Sequence, residues 1–120
     1  MAVRVLVVDD QAPFLRAMTS VVAETPGFEV VGQASSGEES LEVAAEVLPD
    51  LVLMDVNLPG IDGIEATRRL RAAADAPVVM LLSTYDESDV DYADCGAAAY
   101  VPKSSFGPDR LASIWDAISA

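Results

Sequence analysis

The chain has 120 residues, and 20 Asp and Glu stand against 7 Lys and Arg for a net charge of −13. That length suits one domain with its own core; a hydrophobic content of 52% excludes a disordered segment, and the charge excludes direct binding of nucleic acid or of an anionic membrane surface. No apolar run approaches the ~20 residues of a membrane span, and the single cysteine, Cys95, with no signal-peptide pattern after Met1, fits a reducing cytoplasm.

Apolar runs alternate with helical patterns five times, the mark of a parallel α/β sheet. Val3 to Val8 reads as the first strand and ends at Asp9-Asp10. A helix over 12–25 follows, with Phe14, Met18, Val21 and Val22 at helical spacing, and Pro26-Gly27 stops it. Phe28 to Gln33 is the second strand, placed at an edge because it carries Glu29 and Gln33. Ser36-Gly-Glu-Glu39 has the capping-box pattern, so a second helix opens there, with Leu41, Ala44, Ala45 and Leu48 as its expected buried stripe.

Leu51 to Met54 is a short apolar run closed by a carboxylate, Asp55. Such a run reads as a strand covered on both faces. An ion is costly inside it but tolerable at its carboxyl end, where open α/β sheets place ligands. Pro59 and Gly60 make a turn, and Asp62 is the expected cap of a third helix over 63–73. Ile64, Thr67 and Leu70 should face inward there, with Arg68, Arg69 and Arg71 in water.

Val78 to Leu82 is the fourth strand, ending in Ser83-Thr84. A fourth helix over about 86–95 is the weakest element, because five acids crowd it and its later ones oppose the helix dipole. It is expected to be short or irregular. Ala97 to Val101 is the fifth strand, with Tyr100 near its end and Pro102-Lys103 after it. Pro108 opens the last helix, buried through Leu111, Ile114, Trp115 and Ile118. Cys95 reads as a small buried apolar residue, and Trp115 as core or interface rather than a cofactor platform.

In a parallel sheet the ends of strands one, three, four and five share one edge. Strands lie ~4.8 Å apart, so side chains from neighbouring ends meet. Asp9, Asp10 and Asp55 gathered there repel one another unless a cation sits among them. The chain has no histidine, and oxygen-only ligation by a few carboxylates favours Mg²⁺ (or Mn²⁺). A carboxylate can also attack a phosphoryl group. That chemistry needs the phosphoryl oxygens neutralised, by a metal on one side and an ammonium on the other. Lys103 is the only lysine in the chain; it stands at the strand end where an ammonium is useful, and the Ser83 hydroxyl can hold a further oxygen.

With these residues in view, the whole chain resembles the receiver domain of bacterial response regulators. The resemblance rests on Val-Val-Asp-Asp at 7–10, Leu-Met-Asp-Val-Asn-Leu-Pro-Gly-Ile-Asp-Gly at 53–63, Ser83, Gly96-Ala97 and Tyr-Val-Pro-Lys at 100–103. The wording through Glu65-Ala-Thr-Arg-Arg-Leu70 is most like the subfamily with a helix-turn-helix output domain. The resemblance implies one doubly wound, flavodoxin-like (βα)5 domain over 1–120, with a five-stranded parallel sheet of order 2-1-3-4-5. It implies no output domain within this chain. Asp55 would accept phosphate from a sensor histidine kinase, and Asp9 and Asp10, with Asp55 and the backbone carbonyl of Asn57, would hold Mg²⁺. Of the acid pair, Asp10 is the favoured closer ligand. Lys103 and Ser83 would read the phosphate, with Thr84 as a substitute if the register slips by one, and Tyr100 would change rotamer in response. Transcription would be regulated through an output domain elsewhere. A homodimer is compatible with the family.

The interval from Ser83 to Lys103 is shorter than the family pattern, and the shortfall falls in the fourth helix. This motivates an alternative, a phosphate-independent pseudo-receiver that only binds partners. A turnover phosphatase is disfavoured. Asp55-Val-Asn57 echoes the Asp-x-Asp of haloacid-dehalogenase-type enzymes, but Asn57 cannot serve as the general acid.

Overall fold

The computed structural model describes residues 2–83 and 95–119. Five strands, β1 (Val3–Val8), β2 (Phe28–Ala34), β3 (Leu51–Asp55), β4 (Val78–Ser83) and β5 (Ala99–Pro102), form one sheet. The order is β2-β1-β3-β4-β5 and every pairing is parallel. Among the described residues there are four helices: α1 (Ala12–Glu24), α2 (Gly37–Val47), α3 (Gly63–Ala72) and α4 (Pro108–Ser119). This is the doubly wound, flavodoxin-like arrangement expected. The expected helix over 86–95 lies outside the described residues, save that Cys95 sits in a turn.

Strand periodicity sorts the core into two layers. Val5 and Val7 of β1, Leu51 and Leu53 of β3, Met80, Leu82 and Val101 pack with Met18 and Val22 of α1 and Leu111 of α4. Leu6, Val8, Val52, Met54, Val79, Leu81 and Tyr100 pack with Ala44 of α2 and Ala66 and Leu70 of α3. Asp9 and Asp55 continue the first series along their chains, as Lys103 continues Val101. The alternation that builds the core therefore sends all three to the α1 and α4 side. Cys95 is buried in the second layer, and Trp115 meets Phe28 edge to face at 6.2 Å.

The helix openings follow local chemistry. Ser36 Oγ accepts from the Glu39 amide at 3.0 Å, but the return bond to Glu39 Oε1 comes from the Ser35 amide, at 2.6 Å, rather than from Ser36. Asp62 Oδ1 accepts from the Glu65 amide at 2.8 Å, as its capping role required. Arg68, Arg69 and Arg71 are exposed.

Three expectations need correction. The buried stripe of α2 keeps Ala44 as expected but excludes Ala45 and Leu48, which are exposed, and gains Ser40. Leu48 is not on the helix face at all: it is the left-handed C-cap, with φ 49°. β5 starts at Ala99 rather than Ala97, because the chain first turns at Gly96, φ 93°. β4 and β5 each run one residue further than expected, and Ser83 pairs with Pro102 inside the sheet.

Candidate functional site

The site begins with register. Val8 lies beside Met54, so Asp9 and Asp55 leave adjacent strands at the same level. Asp55 pairs with Leu82, so Ser83 stands one residue beyond it on β4. Pro102 ends β5 beside Ser83 and delivers Lys103 as the first residue of a 3-10 turn over Lys103–Ser105.

Asp9 is fully buried and Asp55 nearly so, whereas Asp10 is exposed. One ligand oxygen from each of the three lies within 4.8 Å of the others. The Lys103 ammonium stands 2.8 Å from Asp9 Oδ2 and 3.4 Å from Asp55 Oδ1. Asp9 Oδ1 accepts from the Gln11 amide at 2.9 Å, and Asp55 Oδ1 accepts weakly from the Asn57 amide at 3.3 Å. Asp9 Oδ2 has the ammonium as its charge partner yet accepts no aligned hydrogen bond. A buried carboxylate oxygen so served has unused capacity.

Electrostatics mark Asp55. Burial first, and then the negative charge of Asp9, push its carboxyl up from 3.8 to about 6, against the opposing pull of Lys103 and the Asn57 amide. Asp55 is thus ionised at neutral pH but held in an environment that disfavours its charge.

Asp10, Gln11, Asp55, Asn57 and Lys103 line a polar cleft of about 90 Å³ open to solvent. At about 30 Å³ per water, that is room for roughly three water-sized groups. Hard oxygen donors, an under-served buried carboxylate and space for coordinated water fit Mg²⁺ or Mn²⁺. A larger groove, about 470 Å³, lies elsewhere among the described residues, between α2 and α3, and is mainly apolar.

The loop carrying Asn57 is pinned at both ends. A β-carbon on Gly63 would overlap the backbone oxygen of Asp55, so only glycine lets α3 start this close to β3. Gly60, with φ 73°, packs against the Glu38 carboxylate, which also accepts from the Ile61 amide at 3.2 Å.

The described residues therefore bring together Asp9, Asp10, Asp55, Asn57 and Lys103. Ser83 is buried at the neighbouring strand end, and Tyr100 is buried in the layer facing α2 and α3. Thr84 lies outside the described residues. Sequence reasoning missed three contributors. Gln11 matters through its backbone, which no side-chain pattern reveals. Glu38 read only as part of a cap. Phe14 read only as a core position, yet its ring lies beneath the Lys103 ammonium, 4.0 Å from the centroid.

The model of the response regulator receiver domain matches residues 5–116. The chain belongs to this family. The receiver domain is 47% identical over 105 residues to "Response regulator GacA" of Pseudomonas viridiflava, covering 86% of this chain and 49% of that protein. It is 42% identical over 106 residues to a "Protein-glutamate methylesterase/protein-glutamine glutaminase" of Alkalilimnicola ehrlichii, covering 86% of this chain and 27% of that one. Among solved structures it superposes on the receiver domain of the putative response regulator NarL from Mycobacterium tuberculosis with a TM-score of 0.89, at 30% identity, covering 99% of this chain and 98% of that one. A LuxR-family two-component response regulator from Aurantimonas sp. SI85-9A1 gives 0.87 at 32% identity, covering 98% and 85%. The receiver domain thus spans half or less of the curated relatives named, and the methylesterase likeness reaches no further than its aligned quarter.

Proposed function

We propose that this receiver domain is a phosphorylation-controlled switch in which Asp55 takes a phosphoryl group from a sensor histidine kinase. The observation that carries this is the single ammonium held between two buried carboxylates at the mouth of a solvent-open cleft. A carboxylate oxygen of Asp55 attacks phosphorus, the bond from phosphorus to the kinase imidazole nitrogen breaks, and that nitrogen keeps the electron pair and takes up a proton. With acetyl phosphate the phosphorus–oxygen bond breaks and acetate leaves. Asp9, Asp10, Asp55 and the backbone carbonyl of Asn57 are the residues that would hold Mg²⁺, whose chemistry when bound is to neutralise charge on the phosphoryl oxygens. Lys103 neutralises the opposite side, and the Ser83 hydroxyl binds a third oxygen. Tyr100, on the strand paired with Ser83's, carries the change outward. Thr84 is the alternative hydroxyl.

The acids, the lysine and the hydroxyl that a switch needs are all present, which favours it over a phosphate-independent module. The whole protein is proposed to regulate transcription through an output domain beyond this chain, in keeping with the likeness to response regulators twice its length. A homodimer is the natural carrier of such an output. Incubation with acetyl phosphate and Mg²⁺, read by intact-protein mass spectrometry, tests the proposal. Labelling should need the divalent ion and vanish in Asp55→Asn. Full labelling of Asp55→Asn contradicts the assignment.

A further inference from the structure

We propose that Phe14 is a positioning residue: the face of its ring holds the Lys103 ammonium against Asp9 and Asp55. This rests on the phosphoacceptor reading of the site. The ammonium is 4.0 Å from the ring centroid, 2.8 Å from Asp9 Oδ2 and 3.4 Å from Asp55 Oδ1. It is therefore enclosed by negative charge on one side and by the negative face of a π system on another.

The surroundings make the ring decisive. Behind Lys103 is an apolar cleft of about 120 Å³, lined by Phe14, Ala17, Met18, Val21, Leu82 and Phe106. A long flexible side chain beside an apolar space has alternatives: its stem can slide along the cleft and its head can swing to water. The described contacts include no hydrogen-bond acceptor that ties the ammonium from the α1 side. The ring fills that side with an attraction that needs no acceptor, leaving the ammonium's donors for Asp9, Asp55 and an incoming phosphoryl oxygen. α1 presents the ring because Phe14 stands in its first turn, directly after the Asp9–Gln11 turn that positions the buried acid. One short segment thus supplies an acid of the cleft and the backing for the lysine.

A neutral apolar residue of similar bulk would fill the space without attracting the cation. A cation–π contact changes the ratio of held to released lysine rotamers by roughly three- to thirty-fold.

Because Lys103 is the only lysine in the chain, lysine labelled with ¹³C and ¹⁵N gives one side-chain signal, which serves as the test. In the wild-type protein the Lys103 ε-methylene protons should be shifted upfield by the ring current. Phe14→Leu should return them to the ordinary lysine position. Labelling by acetyl phosphate should slow by roughly three- to thirty-fold in Phe14→Leu, and Phe14→Tyr and Phe14→Trp should restore it. Mono-, di- and trifluorophenylalanine at position 14 keep the shape while draining the ring face, so the rate should fall stepwise along that series. A Lys103 signal at the ordinary position in the wild type, or a rate indifferent to fluorination, overturns the inference. An upfield-shifted lysine in a protein that acetyl phosphate never labels sinks the phosphoacceptor reading, while the ring still stands as the holder of the ammonium.

Discussion

Two aspartates bracket β3, and their fates differ. Asp50, just before the strand, is exposed; its Oδ2 accepts from the Arg4 amide at 3.0 Å, and its backbone amide donates to the Arg4 oxygen at 2.8 Å. It fastens the start of β3 to β1 and is otherwise in water. Asp55, at the other end of the same strand, is buried, faces a second buried acid and has its carboxyl raised to about 6. The contrast teaches that a strand-end carboxylate gains chemistry from its surroundings, not from its position alone. One end of the sheet is tied by hydrogen bonds in water. The other holds a carboxylate in buried surroundings that disfavour its charge.

The comparison can be broken, starting with the largest effect. Asp55→Asn should lose all labelling by acetyl phosphate, whereas Asp50→Asn should be labelled at the wild-type rate; intact mass spectra of both variants decide. Equal loss in both would mean that labelling tracks general stability rather than the cleft.

Next in size is Lys103→Ala. It leaves two buried carboxylates without their cation, and urea unfolding at neutral pH without divalent ion should show a loss of about 3–5 kcal/mol. Adding Mg²⁺ should restore part of it by binding the folded state.

Asp55→Asn should move stability the other way. A carboxyl whose folded value is raised from 3.8 to about 6 favours folding when protonated, so its contribution is present below pH 3.8 and is lost as pH rises through about 6. Above that range, metal-free Asp55→Asn should exceed the wild type by up to about 3 kcal/mol, at 1.36 kcal/mol per unit. The gain should shrink to nothing as pH falls through 6 towards 4. A gain that persists at acid pH would locate the cost elsewhere. The smallest effect is expected from Asp50→Ala, about 1 kcal/mol, because its lost bond is exposed and water replaces it.

Much of this was legible in the residues. The Val- and Leu-rich runs of β1 and β3 set strands buried on both sides, and a carboxylate ending each marked the rim. One lysine in the whole chain pointed to that rim. The start of α3 was readable because Asp62 has a single local job. What stayed hidden depended on pairing. Nothing local to Asp9-Asp10 says which acid turns inward; strand parity sends Asp9 under the ammonium and leaves Asp10 in water. Leu48 looked like the last residue of an apolar stripe because periodicity cannot see a left-handed cap. Phe14 looked like core because a ring beneath a cation and a ring in a core share the same spacing.

The buried acid at the end of β3, and no other, should receive phosphate. Tandem mass spectrometry of proteolytic fragments after treatment with acetyl phosphate and Mg²⁺ tests it most directly. One phosphoryl group should be found, on Asp55. A phosphoryl group found on Asp9, on Asp10 or on an exposed acid such as Asp50 would contradict it.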